Sequence, residues 1–279
     1  MPALFVDALT VIDFTYLHPT RWLVGESWIV DIELHGGLDA QGMVFDFGLV
    51  KKTLKHAIDH LADHRLLIPQ AMAGLEITDL PDGNLRIRRQ HDGGEHLLIE
   101  CPPAAVLRLP VAEIDRAGLG AFLAITLRQA LPANVERIVV HLREENIDGA
   151  YYHYSHGLKK HDGACQRIAH GHRSRIEIFE DNVRSPMLEK RWGELFRDIY
   201  IGTTDDLGYT SAADYLRFGY VSREGRYLLE LHRRHVYLIE TDSTVECIAE
   251  HIAAALKRAH PERHYRVKAF EGVAKGAIA

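Results

Sequence analysis

Residues 154–172, YSHGLKKHDGACQRIAHGH, set three histidines, His156, His170 and His172, around one cysteine, Cys165. The residues that follow, RSRIEIFED, read as a strand. On a strand two side chains two positions apart share a face, about 7 Å apart at their Cα atoms, so His170 and His172 point the same way. His156 ends a preceding strand, GAYYHYSHGL, and can pair across a hairpin to bring a third imidazole to the same point. Three imidazoles with an open fourth position are the pattern of a catalytic zinc. A plain His-rich loop is the alternative, since among 18 histidines some such spacing arises without function. His153 lies an odd offset from His156 and is expected on the opposite, solvated side of its strand; His161, in a Lys-rich turn, is expected in solvent. Cys165 beside a metal and beside Lys159, Lys160 and Arg167 is placed to be a thiolate, which a proton-abstracting cysteine needs. Cys101, before two prolines, and Cys247, inside a helix, read as structural.

Working outward, the chain reads twice. LFVDALTVIDFTYL and SWIVDIELHGG alternate β-branched and aromatic residues as two strands. FDFGLVKKTLKHAIDHLADH then repeats Phe47, Val50, Leu54, Ala57, Ile58 and Leu61 at helical spacing behind Asp46, an N-cap. An accessory hairpin follows between Leu75 and Pro103, then a helix in VAEIDRAGLGAFLAITLRQAL and a strand in VERIVVHLREE. The order recurs: strands GAYYHYSHGL and RSRIEIFED, helix SPMLEKRWGELFRDIYI, an accessory hairpin between Tyr215 and Glu240, helix STVECIAEHIAAALKRA and strand HYRVKAFEG. Each half ends on a glutamate followed at the same offset by Gly-Ala, EENIDGA from Glu144 and EGVAKGA from Glu271. Two consecutive copies of one α+β unit, residues 1–147 and 148–279, are the expected organisation.

The bulk composition agrees with a core-forming protein: 47% apolar and 26% charged residues over 279 positions. A net charge of −6 with scattered Lys and Arg gives no basic field for nucleic acid. Three widely spaced cysteines suit reduced thiols rather than a disulfide framework. No signal-like start and no long apolar run occur, so the expectation is a cytoplasmic, soluble protein without membrane partners.

HGLKKHDGACQRIAHGH resembles the zinc and cysteine signature of the 6-pyruvoyl-tetrahydropterin synthase and 6-carboxytetrahydropterin synthase family: His, a loop, Cys, then His-Gly-His opening a strand. GLDAQGMVFDFGLVKKTL resembles the family's Gly-Met-Val-x-Asp-Phe segment, DHRLL its Asp-His-x-x-Leu, and STVE before a helix its Thr-x-Glu. The resemblance implies the tunnelling fold, antiparallel sheets with helices packed on one face, assembled as a homo-oligomer with sites between units. It implies Zn2+ held by His156, His170 and His172, with Cys165, Asp63 and His64 catalytic and Glu271 anchoring the pterin. Glu144, the counterpart of Glu271, would fill the same role or line a dead pocket.

The two halves depart from the pattern in complementary ways. VGESWIVDI puts Val24 and Glu26 where the second half has His170 and His172, and no cysteine precedes them. FRDIYIG stands where the first half reads LADHRLL, aligning Asp198 with Asp63 and Ile199 with His64. One composite site follows, with metal ligands and cysteine from the second unit and Asp63–His64 from the first; whether it closes within a chain or across chains is open. By itself, Asp63–His64 reads more readily as a polar helix end, and the complementary loss reverses that.

The implied reaction is that of a zinc-dependent lyase on 7,8-dihydroneopterin triphosphate. Zinc would bind the side-chain hydroxyls, Cys165 would take a carbon-bound proton, and His64 would relay protons beside Asp63. The expected product is the 6-carboxy-5,6,7,8-tetrahydropterin of the queuosine route, with the 6-pyruvoyl product as the alternative; the Cys165–His170 spacing does not choose between them. Lys159, Lys160, Arg167 and Arg173 are nearby cations for the triphosphate. The competing readings are a zinc- and pterin-binding protein without turnover, and a tandem reductase or cyclohydrolase of the same fold. Three double-length chains would supply the family's usual six units. The accessory hairpins have no assigned role.

Overall fold

The computed structural model describes residues 1–279 apart from 92 and 211. In the first half the elements are β1 (Ala3–His18), β2 (Trp22–Gly36), α1 (Phe47–Ala62), β3 (Leu66–Pro69), β4 (Leu75–Asp79), β5 (Leu85–Gln90), β6 (His96–Cys101), β7 (Val106–Leu109), α2 (Arg116–Leu127) and β8 (Val135–Glu144). In the second they are β9 (Tyr151–His156), β10 (His170–Glu180), β11 (Val183–Arg184), α3 (Pro186–Leu195), β12 (Ile199–Thr203), β13 (Leu207–Gly208), β14 (Tyr215–Ser222), β15 (Gly225–His232), β16 (Val236–Ile239), α4 (Val245–Ala259), β17 (Tyr265–Phe270) and β18 (Gly276–Ile278).

Two sheets repeat one topology. The first runs β7-β3-β1-β2-β8 and the second β16-β12-β9-β10-β17-β18, so every strand of the first has a counterpart at the same place in the second. In each, a central antiparallel hairpin is flanked on one side by two short parallel strands and on the other by an antiparallel strand. The class is α+β, as two tandem tunnelling-fold units.

Helices cover one face of each sheet. Val50, Leu54, Ile58 and Ala62 of α1 and Leu119, Leu123 and Leu127 of α2 are buried against Ile12, Phe14, Val30 and Ile32. Ile248, Ile252 and Leu256 of α4 and Trp192 of α3 do the same against Tyr152, Ile176 and Ile178. Asp46 caps α1, its Oδ1 accepting from Leu49 N at 3.0 Å. The expected apolar stripe begins one turn later than its spacing suggests, because Phe47, at the first helical position, is 57% exposed. α2 starts only at Arg116, where Asp115 caps it by accepting from Gly118 N. Residues 199–201, expected in a helix, are instead the start of β12, whose five residues are all buried. The helix stops at Leu195 and the chain turns through Asp198, which sits at φ 56°.

The accessory hairpins are not separate. They join as one six-stranded sheet, β13-β14-β15-β6-β5-β4, with the seam where Leu228, Leu229 and Glu230 pair with Glu100, Ile99 and Leu98. Its apolar face closes over Leu17, Trp22, Ile68, Ile168 and Tyr200 as a second core. No described helix is long and apolar enough to cross a membrane.

The two main sheets meet back to back at corresponding residues. Register pairs Thr15 with Gly25 in one unit and Ser155 with Gly171 in the other. Thr15 Oγ1 and Ser155 Oγ share a buried hydrogen bond of 2.8 Å across the junction. A Cβ on Gly171 would stand 2.7 Å from the Gly25 Cα, and one on Gly25 would run into the Tyr154 carbonyl, so only glycine lets the backbones approach this closely. This close crossing carries β1 of the first unit to the histidine-bearing strands of the second.

Candidate active site

The hairpin register sets His156 directly opposite His170, and His172 opposite Tyr154. The three imidazoles are buried to 1% exposure or less, and each offers a nitrogen within 4.8 Å of the others. Two of their far nitrogens are held by oxygen acceptors. His156 Nδ1 donates to the Ser243 carbonyl at 2.8 Å and His170 Nδ1 to the Arg167 carbonyl at 2.8 Å. His172 Nδ1 lies 3.3 Å from Asp13 Oδ1 without a hydrogen bond. The Nε2 atoms of His156 and His172 are buried without any partner. A buried nitrogen left unpaired while its ring mate is tied to an oxygen, as in His156, is what metal-ligating histidines show. Burial, then the neighbouring imidazoles, push His156 and His170 well below the ordinary histidine range, leaving neutral rings whose lone pairs face inward. The cluster can therefore hold a metal ion.

The first unit reaches this cluster through the end of α1. Asp63 caps the helix, and His64 follows in the left-handed region at φ 53°. The backbone is held there on both sides: His64 N donates to Asp13 O at 2.7 Å, and Asp13 N donates to Asp63 Oδ1 at 2.8 Å. The His64 ring thus lies 4.9 Å, centroid to centroid, from that of His170. Its Nδ1 is 2.7 Å from Asp63 Oδ2, and Cys165 Sγ lies within 4.8 Å of the ligand nitrogens of His64 and His170. Burial opposes charge on His64, but hydrogen bonds to Asp63 and Cys165 more than reverse it and push its pKa up to about 10. Asp63, His64, Cys165 and the three histidines meet within one chain.

Glu271, in the turn after β17, joins them, its Oε1 3.9 Å from His172 Nε2. Lys275 stands between it and Asp13, 4.0 Å from Glu271 and 3.1 Å from Asp13. Asp13 is the functional residue the sequence reading missed. It is 3% exposed, accepts from Ser27 Oγ at 2.5 Å, and faces a histidine of the other unit. Burial alone would raise its pKa, yet His172, Lys275 and Ser27 together hold it well below the carboxylate range. An acidic residue in the middle of the strand segment VIDFTYL was the available signal.

A family model for 6-pyruvoyl tetrahydropterin synthase matches residues 11–153, about half of the chain. The chain belongs to the 6-pyruvoyl tetrahydropterin synthase family. The match covers the first unit and stops just short of His156, so the histidine cluster is read from its own geometry. Solved structures similar to this chain are 6-pyruvoyltetrahydropterin synthase of Plasmodium vivax, at 15% identity and TM-score 0.39, and a catalytic-residue mutant of it, at 15% and 0.40; each is covered to 97% of its length by 51% of this chain. The enzyme from Plasmodium falciparum matches at 14% identity and TM-score 0.36, with the same coverage. No curated protein matches.

The first unit of this family member carries a counterpart of the site without the three histidines. Strand register places Tyr16, Val24 and Glu26 where the second unit has His156, His170 and His172. It also corrects the alignment of the helix ends: Thr15 pairs with Leu66 and Ser155 with Tyr200, so Asp198 corresponds to His64 and Arg197 to Asp63. The matching φ values of Asp198 and His64, 56° and 53°, agree. Arg21 makes a two-pronged pair with Asp198, at 2.8 and 2.5 Å, so a fixed guanidinium supplies positive charge beside Tyr16 and Glu26. Burial pushes the Glu26 carboxyl up to about 8, leaving it protonated at neutral pH. An open cleft of about 480 Å³ lies over this region, lined by Arg21, Tyr151, His153, Arg197 and Asp198 among others. Glu144 lies on this side and not at the histidine cluster; it is half-exposed, 3.6 Å from Arg116 and 3.8 Å from Arg173.

His153 is not solvated as expected. It packs against β2, its Nδ1 2.8 Å from the Gly25 carbonyl and 3.8 Å from Glu26 Oε2, because its strand face is covered by the other unit. His161 is exposed. The four basic residues near the loop are all engaged: Lys159 with Asp206, Lys160 with Asp242, Arg167 with Glu224, and Arg173 with the Glu145 carbonyl and the Tyr151 ring. Cys101 is buried and its thiol pushed up to about 12, in keeping with a structural role.

Proposed function

We propose that this chain is a zinc-dependent lyase acting on 7,8-dihydroneopterin triphosphate. Residues 1–147 would supply Asp63 and His64, and residues 148–279 the metal ligands, Cys165 and Glu271. One observation carries the reading: His64 of the first unit stands between Asp63 and Cys165 with its ring 4.9 Å from that of His170. A binding protein would need neither the thiol nor its neighbours. The donor set of three imidazoles suits zinc, which when bound would act as a Lewis acid on the substrate's side-chain hydroxyls.

The chain's own residues then divide the work. Cys165 Sγ would take the carbon-bound proton, and a cationic imidazole beside the sulfur is the arrangement that favours a thiolate. His64 would move protons to and from the substrate oxygens, oriented through Nδ1 by Asp63. Glu271 would accept the pterin N–H groups in a charge-assisted contact. Asp13 would keep His172 in one ring orientation.

We assign the product as 6-carboxy-5,6,7,8-tetrahydropterin, formed with acetaldehyde and triphosphate at the cost of one water, as in a 7-deazapurine route. The 6-pyruvoyl outcome consumes no water and eliminates triphosphate alone. Assembly as a homo-oligomer is supported by β8 and β18, which end their sheets with no further strand among the described residues. Anaerobic incubation of zinc-loaded protein with the triphosphate, read by mass spectrometry, tests the function. A 6-substituted tetrahydropterin absent from Cys165→Ala and His64→Ala reactions supports it, and unchanged substrate from the wild type rejects it.

A further inference from the structure

The accessory sheet reaches the loop that carries Cys165 through the β14–β15 hairpin. Cys165 lies in an irregular loop between β9 and β10 whose only regular turn is Ala164–Gln166. Its own backbone pairing is local: the Cys165 carbonyl accepts from Leu158 N at 3.0 Å, and Gln166 N and Arg167 N close turns onto the Gly163 and Ala164 carbonyls. The two residues that follow Cys165 are both gripped by the hairpin. Gln166 is 1% exposed; its carbonyl accepts from Tyr220 Oη at 2.7 Å, and its Oε1 accepts from Glu224 N at 2.9 Å. Arg167 makes a two-pronged pair with Glu224, at 2.9 and 2.8 Å, and Tyr227 Oη steadies the same carboxylate at 2.9 Å. Arg167 in turn extends a guanidinium nitrogen to within 3.4 Å of the His64 carbonyl and offers its own carbonyl to His170 Nδ1.

We propose that the β14–β15 hairpin is a clamp that positions Cys165, with Glu224 and Tyr220 as positioning residues. Through Arg167 the clamp registers the cysteine against both His64 of the first unit and His170 of the second. The two-pronged carboxylate–guanidinium geometry fixes direction as well as distance. Because β15 pairs with β6 of the first unit, the hairpin is itself anchored across the unit boundary. The same sheet that joins the two units thus also sets the thiol between their contributions. This role rests on the reading of Cys165 as the proton-abstracting group.

The test compares full-length wild type, Glu224→Gln and Tyr220→Phe by hydrogen–deuterium exchange, zinc content and steady-state kinetics. The clamp predicts exchange about tenfold faster or more in residues 158–169 while β9 and β10 stay protected, with zinc content unchanged. It also predicts a kcat lowered at least about tenfold with KM held, since a displaced base costs the reaction and not binding. Unchanged loop exchange in both variants overturns the clamp. Faster loop exchange with unchanged kcat overturns its link to Cys165. If the wild type has no turnover, the proposed function falls while the exchange result still decides the clamp.

Discussion

Replacing Glu26 by glutamine should stabilise the protein at neutral and alkaline pH and leave it unchanged near pH 4.5. Glu26 is 4% exposed, and its Oε1 accepts from Ser27 N at 2.9 Å. Burial, reinforced by Glu144, pushes its carboxyl from 4.5 up to about 8. The folded protein therefore holds a proton that the unfolded chain releases above about pH 4.5. Stability falls as pH rises from there to about 8, then levels. Each unit of the window is about 1.36 kcal/mol, so the penalty is roughly 3 kcal/mol at pH 7 and roughly 5 kcal/mol above pH 8. Glutamine keeps the shape and the acceptor for Ser27 N without an ionisable proton. Urea unfolding of both proteins from pH 5 to pH 8 reads this group together with His153, whose Nδ1 lies 3.8 Å from Glu26 Oε2 and whose protonation is tied to it, while titrations elsewhere are common to both. A stability difference that widens by about 1 kcal/mol per pH unit is expected. A constant offset across the window would refute the argument that Glu26 is buried as a neutral acid where the other unit has His172.

Asp13→Asn should weaken metal binding about 10- to 100-fold, measured by chelator competition, since it removes the carboxylate facing His172 Nδ1. Unchanged affinity would remove Asp13 from the site. Gly171→Ala should cost more than about 3 kcal/mol or abolish soluble protein, because the new methyl would stand 2.3 Å from the Tyr154 carbonyl oxygen of its own sheet and 2.7 Å from the Gly25 Cα of the other, both backbone atoms. Near-wild-type thermal unfolding would show that the sheets do not cross there.

Much of the fold was legible because its signals are local. Period-2 alternation marked β1, β2 and β10, Asp46 capped α1, and the recurrence of element order exposed the duplication. The misplaced pieces were those decided by tertiary context. FRDIYI carries an apolar spacing that suits a helix, yet Ile199–Ile201 are buried on both faces as an inner strand, where apolar runs lose their period. That error shifted the alignment by one, so Asp198 was matched to Asp63 instead of His64. His153 was taken as solvated because nothing in its own strand says that β2 of the other unit will cover it. Asp13 and Glu224 were invisible for the same reason: each acts on a residue distant in sequence, His172 and Arg167, and only the crossing of the sheets brings them together.

The central claim is that one chain builds one complete site from both its units. Mixing His64→Ala and Cys165→Ala chains, unfolding and refolding them together, and assaying turnover of 7,8-dihydroneopterin triphosphate tests it most directly. A site closed within each chain predicts wild-type turnover and none from either variant or from the co-refolded mixture. Recovery to about a quarter of wild-type activity, the share of intact sites expected from random pairing across an oligomer interface, would contradict it.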